Sequence, residues 1–457
     1  MLQVMVVPVQ KPRILKGFRD FLPSDMLLRQ RVIETFRDVF ERHGFEPLDT
    51  PAVEYLDVLT GKAGENERLM YRFEDNGGRS VGLRYDLTVP LARVVAMRQN
   101  DILLPFKRHH IAPVWRAENT QRGRFREFWQ CDADIVGSSE PSSDAEVIAV
   151  LAEALTAVNL PAFVVHINHR GILEAVGRIA GADAEHASAL FRTIDKLDKI
   201  GPDGVTDELA AAGFAPPAIQ IVMNTVTMTG EPCEILDRLA HTFSDDPAGR
   251  DALGELREIF ALLPAFGVPT SRYRFDPSLA RGLDYYTGPV FEARVVEPRV
   301  GSVAGAGRYD GLVGRFLGRD IPATGMSLGL ERIIEVIREH ELMPVPASMA
   351  EVFVVSFADH INAGAALAHT LRQAGFRVDL SMLPRKSVGD QLKYAGRKGV
   401  PLAVVPSHGP EDDGTAVVRD LTSGDQQSYA VAEIGAALRA RLAVATNPEL
   451  LTEARHA

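Results

Sequence analysis

Between Phe106 and Gly137 the chain reads FKRHHIAPVWRAENTQRGRFREFWQCDADIVG, and here residues able to do chemistry are set at a regular spacing. From Arg124 onward the residues alternate. Arg124, Arg126, Gln130, Asp132 and Asp134 fall on even positions, while Phe125, Trp129, Cys131, Ala133 and Ile135 fall on odd ones. Successive side chains of a strand point to opposite faces, so the alternation predicts a strand with one polar face. That face carries guanidinium groups toward one end and carboxylates toward the other. It could hold a polyphosphate at the first and an ammonium group at the second. A solvated hairpin face shows the same pattern, because antiparallel sheets commonly leave one side in water. On the hairpin alone the two readings stand level.

Other polar motifs point less directly to chemistry. His109-His110 has no further ligands at metal-binding spacing, and Cys131 and Cys233 cannot complete a four-ligand zinc site. Gly305-Ala306-Gly307 lacks the dinucleotide fingerprint and its βαβ setting. The run Gly305 to Gly311 is expected to form a glycine-rich turn that orients Tyr309. Arg385, Lys386, Lys393, Arg397 and Lys398 cluster around one expected helix with Asp390 opposing them. A solvated helix face is the ordinary account of such a run.

These residues sit in a chain of 457 residues, long enough for about three domains. It is 46% hydrophobic and 24% charged, an ordinary globular balance. The net charge of −11 argues against indiscriminate nucleic-acid binding and leaves room for local basic patches. No apolar run approaches the roughly 20 residues that span a bilayer. Met1 to Val9 is too short and insufficiently basic for a secretory leader. A cytosolic protein with no protein-only metal site is expected.

The elements follow from periodicity. Leu28, Val32, Phe36, Val39 and Phe40 form a stripe that predicts a helix over Ser24 to His43, stopped by Gly44. A strand is expected over Phe45 to Thr50, a helix over Ser143 to Val158 and a strand over Ala162 to Ile167. From Glu174 to Leu262 the Ala/Leu-rich texture is helical, and it interrupts the strand-rich core as an insertion. Strands return at Tyr273 to Val296, and Gly325 to Arg338 reads as strand then helix. Beyond the linker Met343-Pro344-Val345-Pro346 the pattern becomes βαβαβ, which implies a mostly parallel α/β sheet.

Arg116, Glu118 and Gly123-Arg124-Phe125-Arg126-Glu127-Phe128 resemble the second motif of class II aminoacyl-tRNA synthetases, specifically the histidyl-tRNA synthetase family. Further matches run in order from about Leu15 to about Leu442. They are Lys16-Gly17-Phe18-Arg19-Asp20, Leu83-Arg84-Tyr85-Asp86-Leu87-Thr88, Arg281-Gly282-Leu283-Asp284-Tyr285-Tyr286-Thr287-Gly288, Gly307-Arg308-Tyr309-Asp310-Gly311 and Gly325-Met326-Ser327-Leu328-Gly329-Leu330-Glu331-Arg332. The resemblance implies an α+β fold: an antiparallel-sheet catalytic core over 12–173 and 263–342, a helical insertion over 174–262 and an α/β anticodon-binding domain over 350–445. It also implies a homodimer that takes L-histidine, ATP with Mg²⁺, and tRNA. Arg116, Glu118, Arg124 and Arg332 would face ATP, and Arg281 with Arg116 would act at the α-phosphate. Asp86, Thr88, Gln130, Asp134, Arg281, Tyr285, Tyr286 and Tyr309 would form the histidine pocket. Arginine suits phosphate sites because its planar fork binds oxyanions in pairs and stays charged.

The acidic-x-Thr segment reads Asp86-Leu87-Thr88 where many bacterial members have Glu-Gly-Thr, so the chain resembles the eukaryote-like variant. The hairpin turn reads Asn119-Thr120-Gln121-Arg122 where Arg-Pro-Gln is common. An alternative is the noncatalytic, histidine-sensing paralogue that regulates ATP phosphoribosyltransferase. Such paralogues usually lack the anticodon domain and lose catalytic arginines. Here both are retained in the sequence.

Overall fold

The structure is a computed structural model that describes residues 11–60, 68–280, 286–296, 301–407 and 414–446. Arg281 and Tyr285, both expected in the site, lie outside the described residues, as do Met1 to Val9. The chain divides into one unit of residues 1–20 and 29–343 and a second of 21–28 and 344–457.

The first unit is built on an eight-stranded sheet. Its strands run, side by side, Glu46–Pro47, Phe106–Trp115, Glu127–Val136, Ala323–Gly329, Ser302–Arg308, Pro289–Val295, Phe163–His169 and Tyr273–Phe275. Pairing is antiparallel throughout the middle, with a parallel pair at each edge. The strand expected over Phe45 to Thr50 shrinks to Glu46–Pro47, because Pro47 and Pro51 have no N–H to give a ladder. The turn expected at Gly305 to Gly311 is not one. Gly305 and Gly307 sit inside the strand Ser302–Arg308, and Gly311 opens the helix Gly311–Leu317.

One sheet face is closed by apolar helices. The helix Pro23–Arg42 buries Val32, Phe36, Val39 and Phe40 completely, and Pro141–Ala157 buries Ile148, Val150, Leu151 and Leu155. Each such side chain contributes about 1.5–3 kcal/mol relative to exposure. His109 belongs to this face, its ring 5.9 Å from Phe40, and burial lowers its pKa. His110 points the other way, so the two histidines share no ligand.

After the strand Phe163–His169 come the helices Arg170–Ile179, Ala184–Ile194, Leu197–Ala211, Pro216–Val226, Pro232–Thr242 and Pro247–Leu262. Among the described residues no strand interrupts them before Tyr273. The helix Leu197–Ala211 kinks at Gly201, whose φ of 73° precedes Pro202.

In the second unit the strands Val378–Leu380, Val352–Val354 and Leu402–Pro406 run parallel, joined by the helices Ile361–Gln373 and Val388–Arg397. Thr415–Asp420 and Gln426–Ala430 then extend the sheet antiparallel. The last of these escapes a reading of the sequence because QQSYA is an exposed polar edge with no apolar alternation.

Candidate active site

The register of the sheet shows what lies on its second face. One row across the strands reads Arg108, Asp134, Gly325, Gly307 and Val290. The next reads His110, Asp132, Ser327, Gly305, Glu292 and His166. Gln130 pairs with Gly329 in a third. The alternation expected in the hairpin is therefore real, but the face is not solvated: Gln130, Asp132 and Asp134 are buried along with Cys131, Ala133 and Ile135. Glycines leave the middle of this face without side chains. Gly305 is exposed, and a Cβ there would meet no atom within 4 Å. At Gly325 a Cβ would collide with the Asp134 carboxylate. The floor is bare at Gly305, while Gly325 and Gly307 lie under the Asp134 and Tyr286 side chains.

At the closed end Tyr309 donates its hydroxyl to Asp134 Oδ1, and Arg108 Nη2 lies 2.8 Å from Asp134 Oδ2. Arg108 is wholly buried and also donates to the carbonyl of Leu87 at 3.2 Å. Burial raises the Asp134 carboxyl, against the Arg108 charge and the Tyr309 hydrogen bond. Asp132 is pushed up to about 8, by burial first and by the neighbouring Asp134, with Arg108 opposing. Burial likewise holds the Tyr286 and Tyr309 phenols well above their ordinary range, so both remain protonated donors. Gln130 Nε2 donates to Ser327 Oγ at 2.6 Å, while its buried Oε1 accepts nothing from the protein. Asp86 Oδ1 accepts the Val89 N–H at 3.0 Å, at the start of the helix Thr88–Met97 that Thr88 opens. Burial raises the Asp86 carboxyl, with the Val89 N–H and the Arg116 charge opposing.

The cationic end differs from expectation. Arg124 and Arg126 precede the strand, which starts at Glu127, so they belong to the turn rather than to its polar face. Arg126 Nε donates to the carbonyl of Glu118 at 3.2 Å, and its N–H donates to Gly17 O at 3.0 Å. Arg124 is 45% exposed and lies 3.9 Å from Glu118. Gly123, at φ 68°, turns the chain between them. Arg116 follows the first hairpin strand, donates Nε to Tyr85 O at 2.9 Å and lies 5.1 Å from the Phe128 ring centre. Arg332, in the helix Leu330–Glu339, donates to Ser302 O.

Sequence reasoning misses Arg108 as a site residue, because its signal is available only through the hairpin register, which sets it opposite Asp134. It also passes over Glu331, whose buried carboxylate takes both Nη atoms of Arg29 at 2.9 Å together with Arg19. That cluster ties the helix Leu330–Glu339 to the first helix and thereby fixes where Arg332 starts.

An antiparallel sheet whose arginine-bearing hairpin leads into a face of buried acids fits the catalytic core of a class II aminoacyl-tRNA synthetase. The model of the family described as "Histidyl-tRNA synthetase" matches residues 17–333, and that of "Anticodon binding domain" matches residues 351–441. The histidine–tRNA ligase of Aeropyrum pernix is 43% identical over 93% of this chain and 97% of its own length. That of Rhodopirellula baltica is 39% identical over 92% and 96%. The crystal structure of histidyl-tRNA synthetase from Nostoc sp. PCC 7120 superposes with a TM-score of 0.85 at 32% identity, over 95% of this chain and all of that one. The chain belongs to the histidyl-tRNA synthetase family.

Proposed function

We propose that the protein ligates L-histidine to its cognate tRNA through a histidyl-adenylate. The observation that carries this is the Asp134–Tyr309 pair, buried against Arg108 beside a floor of glycines. Asp134, held by Tyr309 and Arg108, can accept from one nitrogen of a neutral imidazole, while the protonated Tyr286 phenol can donate to the other. A buried polar pair also rejects apolar analogues, which would leave it unsatisfied. Asp86, Thr88 and Gln130 would then face the α-ammonium with Tyr286 beside them, and the family resemblance assigns Tyr285 to the same pocket.

In the first step the histidine carboxylate attacks the α-phosphorus of ATP and pyrophosphate leaves. An anion must approach a polyanion, so fixed cations supply the main stabilisation. Arg116 and Arg281 would meet the α-phosphate and the carboxylate, while Arg332, Arg124 and Glu118 hold the rest of the nucleotide. In the second step a hydroxyl of the terminal tRNA adenosine attacks the acyl carbon and AMP departs. Glu118 offers the hard oxygen donor that Mg²⁺ takes, and an ion carried on the triphosphate needs few protein ligands. Bound there, it would neutralise charge on the phosphates.

The domain limits 12–173 with 263–342, 174–262 and 350–445 are proposed for the catalytic core, insertion and anticodon-binding domain. A homodimer is supported by exposed Val53, Tyr55 and Phe73 on the small sheet formed by Val53–Tyr55, Ser80–Leu83 and Arg72–Glu74. Exposed apolar side chains on one small sheet favour a partner that covers them. Among the described residues no helix is long and apolar enough to cross a membrane. A tRNA substrate is in keeping with work in the cytoplasm. The regulatory-paralogue reading is weaker, because Arg116 and Arg332 are present and the second unit matches an anticodon-binding domain.

The test is exchange of labelled pyrophosphate into ATP. Histidine should support it and the other amino acids should not. Absence of exchange with histidine would reject the assignment.

A further inference from the structure

The amino-acid pocket holds more acid than the proposed histidine contacts need. Asp132 sits between Gln130 and Asp134 on the same strand face and is 1% exposed, with Oδ1 taking no hydrogen bond from the protein. Two strands flank it. On one side its register partner is His110, with Arg108 two residues away; on the other it is Ser327. Asp86 approaches from the start of the helix Thr88–Met97, and its charge is felt at Asp132. The Tyr286 and Tyr309 phenols lie in the same field. His110 supplies no positive charge, since burial, then Arg108 and Arg84, push it down to about 3.

Asp86, Asp132 and Asp134 therefore gather around one fully buried guanidinium, that of Arg108. If all were ionised, the three carboxylates would outnumber the Arg108 and Arg116 charges that face them, and groups so placed neutralise instead. Arg108 is committed to Asp134 at 2.8 Å, and Arg116 lies on the Asp86 side. Asp132 is the carboxyl left to hold a proton.

We propose that Asp132 is a third carboxyl of the amino-acid pocket, protonated when the pocket is empty and ionised when the substrate's α-ammonium enters, so that amino-acid binding expels a proton. Charge is conserved in the exchange. The Asp132 O–H bond breaks, its electron pair stays on the carboxylate, the proton leaves to solvent, and the ammonium supplies the positive charge that the proton had supplied. The upward shift of Asp132 to about 8 agrees with this order of events. The inference rests on the reading of this pocket as the histidine site.

The test is calorimetric titration of the full-length protein with L-histidine at pH 8, in Tris and in HEPES, whose ionisation enthalpies differ. At this pH the free imidazole is almost all neutral, so a released proton comes from the protein. The parent should release a measurable fraction of a proton per site, because burial holds the Asp132 carboxyl above its ordinary range. Asp132→Asn should bind histidine and release none. Equal apparent enthalpies in the two buffers for the parent would overturn the proposal, as would undiminished release from the variant. If the variant does not fold, the parent titration decides alone. Failure of histidine to bind at all would instead reject the pocket assignment beneath it.

Discussion

At the scale of single residues, the candidate site buries Asp132 and Asp134 side by side and gives Asp134 specific partners in Tyr309 and Arg108. Tyr309 is the sharpest case, since its hydroxyl is the hydrogen-bond donor to Asp134 Oδ1. Tyr309→Phe removes that donor while keeping the ring that packs in the core. A hydrogen bond to a charged group contributes about 1.5–3 kcal/mol, so KM for histidine should rise roughly 10- to 100-fold with kcat little changed. Steady-state exchange kinetics separate the two constants, and a loss confined to kcat would show that the pair acts elsewhere than in histidine recognition. A second acid, Asp276, serves the frame. Burial alone would raise it, but hydrogen bonds from His166 and Ser278, with the His166 and Arg294 charges, outweigh that and bring it to about 2. A depressed carboxyl contributes stability that is present above its unfolded pKa and lost as pH falls through the folded value. Asp276→Asn should therefore lower stability by roughly 2 kcal/mol near pH 6, with the gap closing between about pH 4 and pH 2. Urea midpoints against pH would show it, and a gap independent of pH would reject the ion-pair account. Asp134, Gln130 and Tyr309 can be picked out as candidates from the sequence because they sit inside dense motifs. Arg108 cannot, because its meaning lies in a cross-strand pairing that spacing along one strand cannot reveal.

At the scale of elements, the strands matter as much for what they lack. Ser302–Arg308 and Ala323–Gly329 carry glycine where other central strands carry side chains, and that absence is what makes the pocket. The two glycines predict opposite outcomes. At Gly325 an added methyl collides with the Asp134 carboxylate, and overpacking of this kind costs about 1–3 kcal/mol. Gly325→Ala should thus lower the melting temperature and histidine affinity together. At Gly305 the methyl meets nothing of the protein, so Gly305→Ala should melt like the parent yet raise KM for histidine or ATP by intruding on the floor. Equal behaviour of the two variants would count against this division. Sequence alone makes the same Gly305 stretch a turn, since glycine inside a strand pattern usually marks a break. The helix Pro23–Arg42 and the parallel trio of the second unit are legible because apolar stripes and alternating patterns dominate them. The Gln426–Ala430 strand is invisible because pairing to Thr415–Asp420, not composition, creates it.

At the scale of the whole molecule, a protein of net charge −11 must meet a polyanion through a restricted surface. In the second unit the helix Val388–Arg397 is capped by Ser387, whose Oγ accepts the Asp390 N–H at 3.1 Å, and it exposes Lys393 and Arg397 four residues apart on one face. Lys398 next to them is instead engaged with Asp379 at 2.6 Å. Replacing Lys393 and Arg397 together with alanine removes both cations from this face while leaving the cap and the buried Gln391 and Ala395 in place. If this face meets RNA phosphates, tRNA affinity should fall, and the slope of log affinity against log salt should flatten by somewhat under about one unit for each phosphate no longer neutralised. Pyrophosphate exchange should match the parent, since the proposed ATP and histidine residues lie in the first unit. Cutting the chain after Met343 is a poorer probe, because residues 21–28 group with the C-terminal part and the cut would divide that unit. The charge variant leaves both units whole. Unchanged affinity with an unchanged slope would move the RNA surface off this helix, and a matching loss of exchange would mean that the two units are not separable in function.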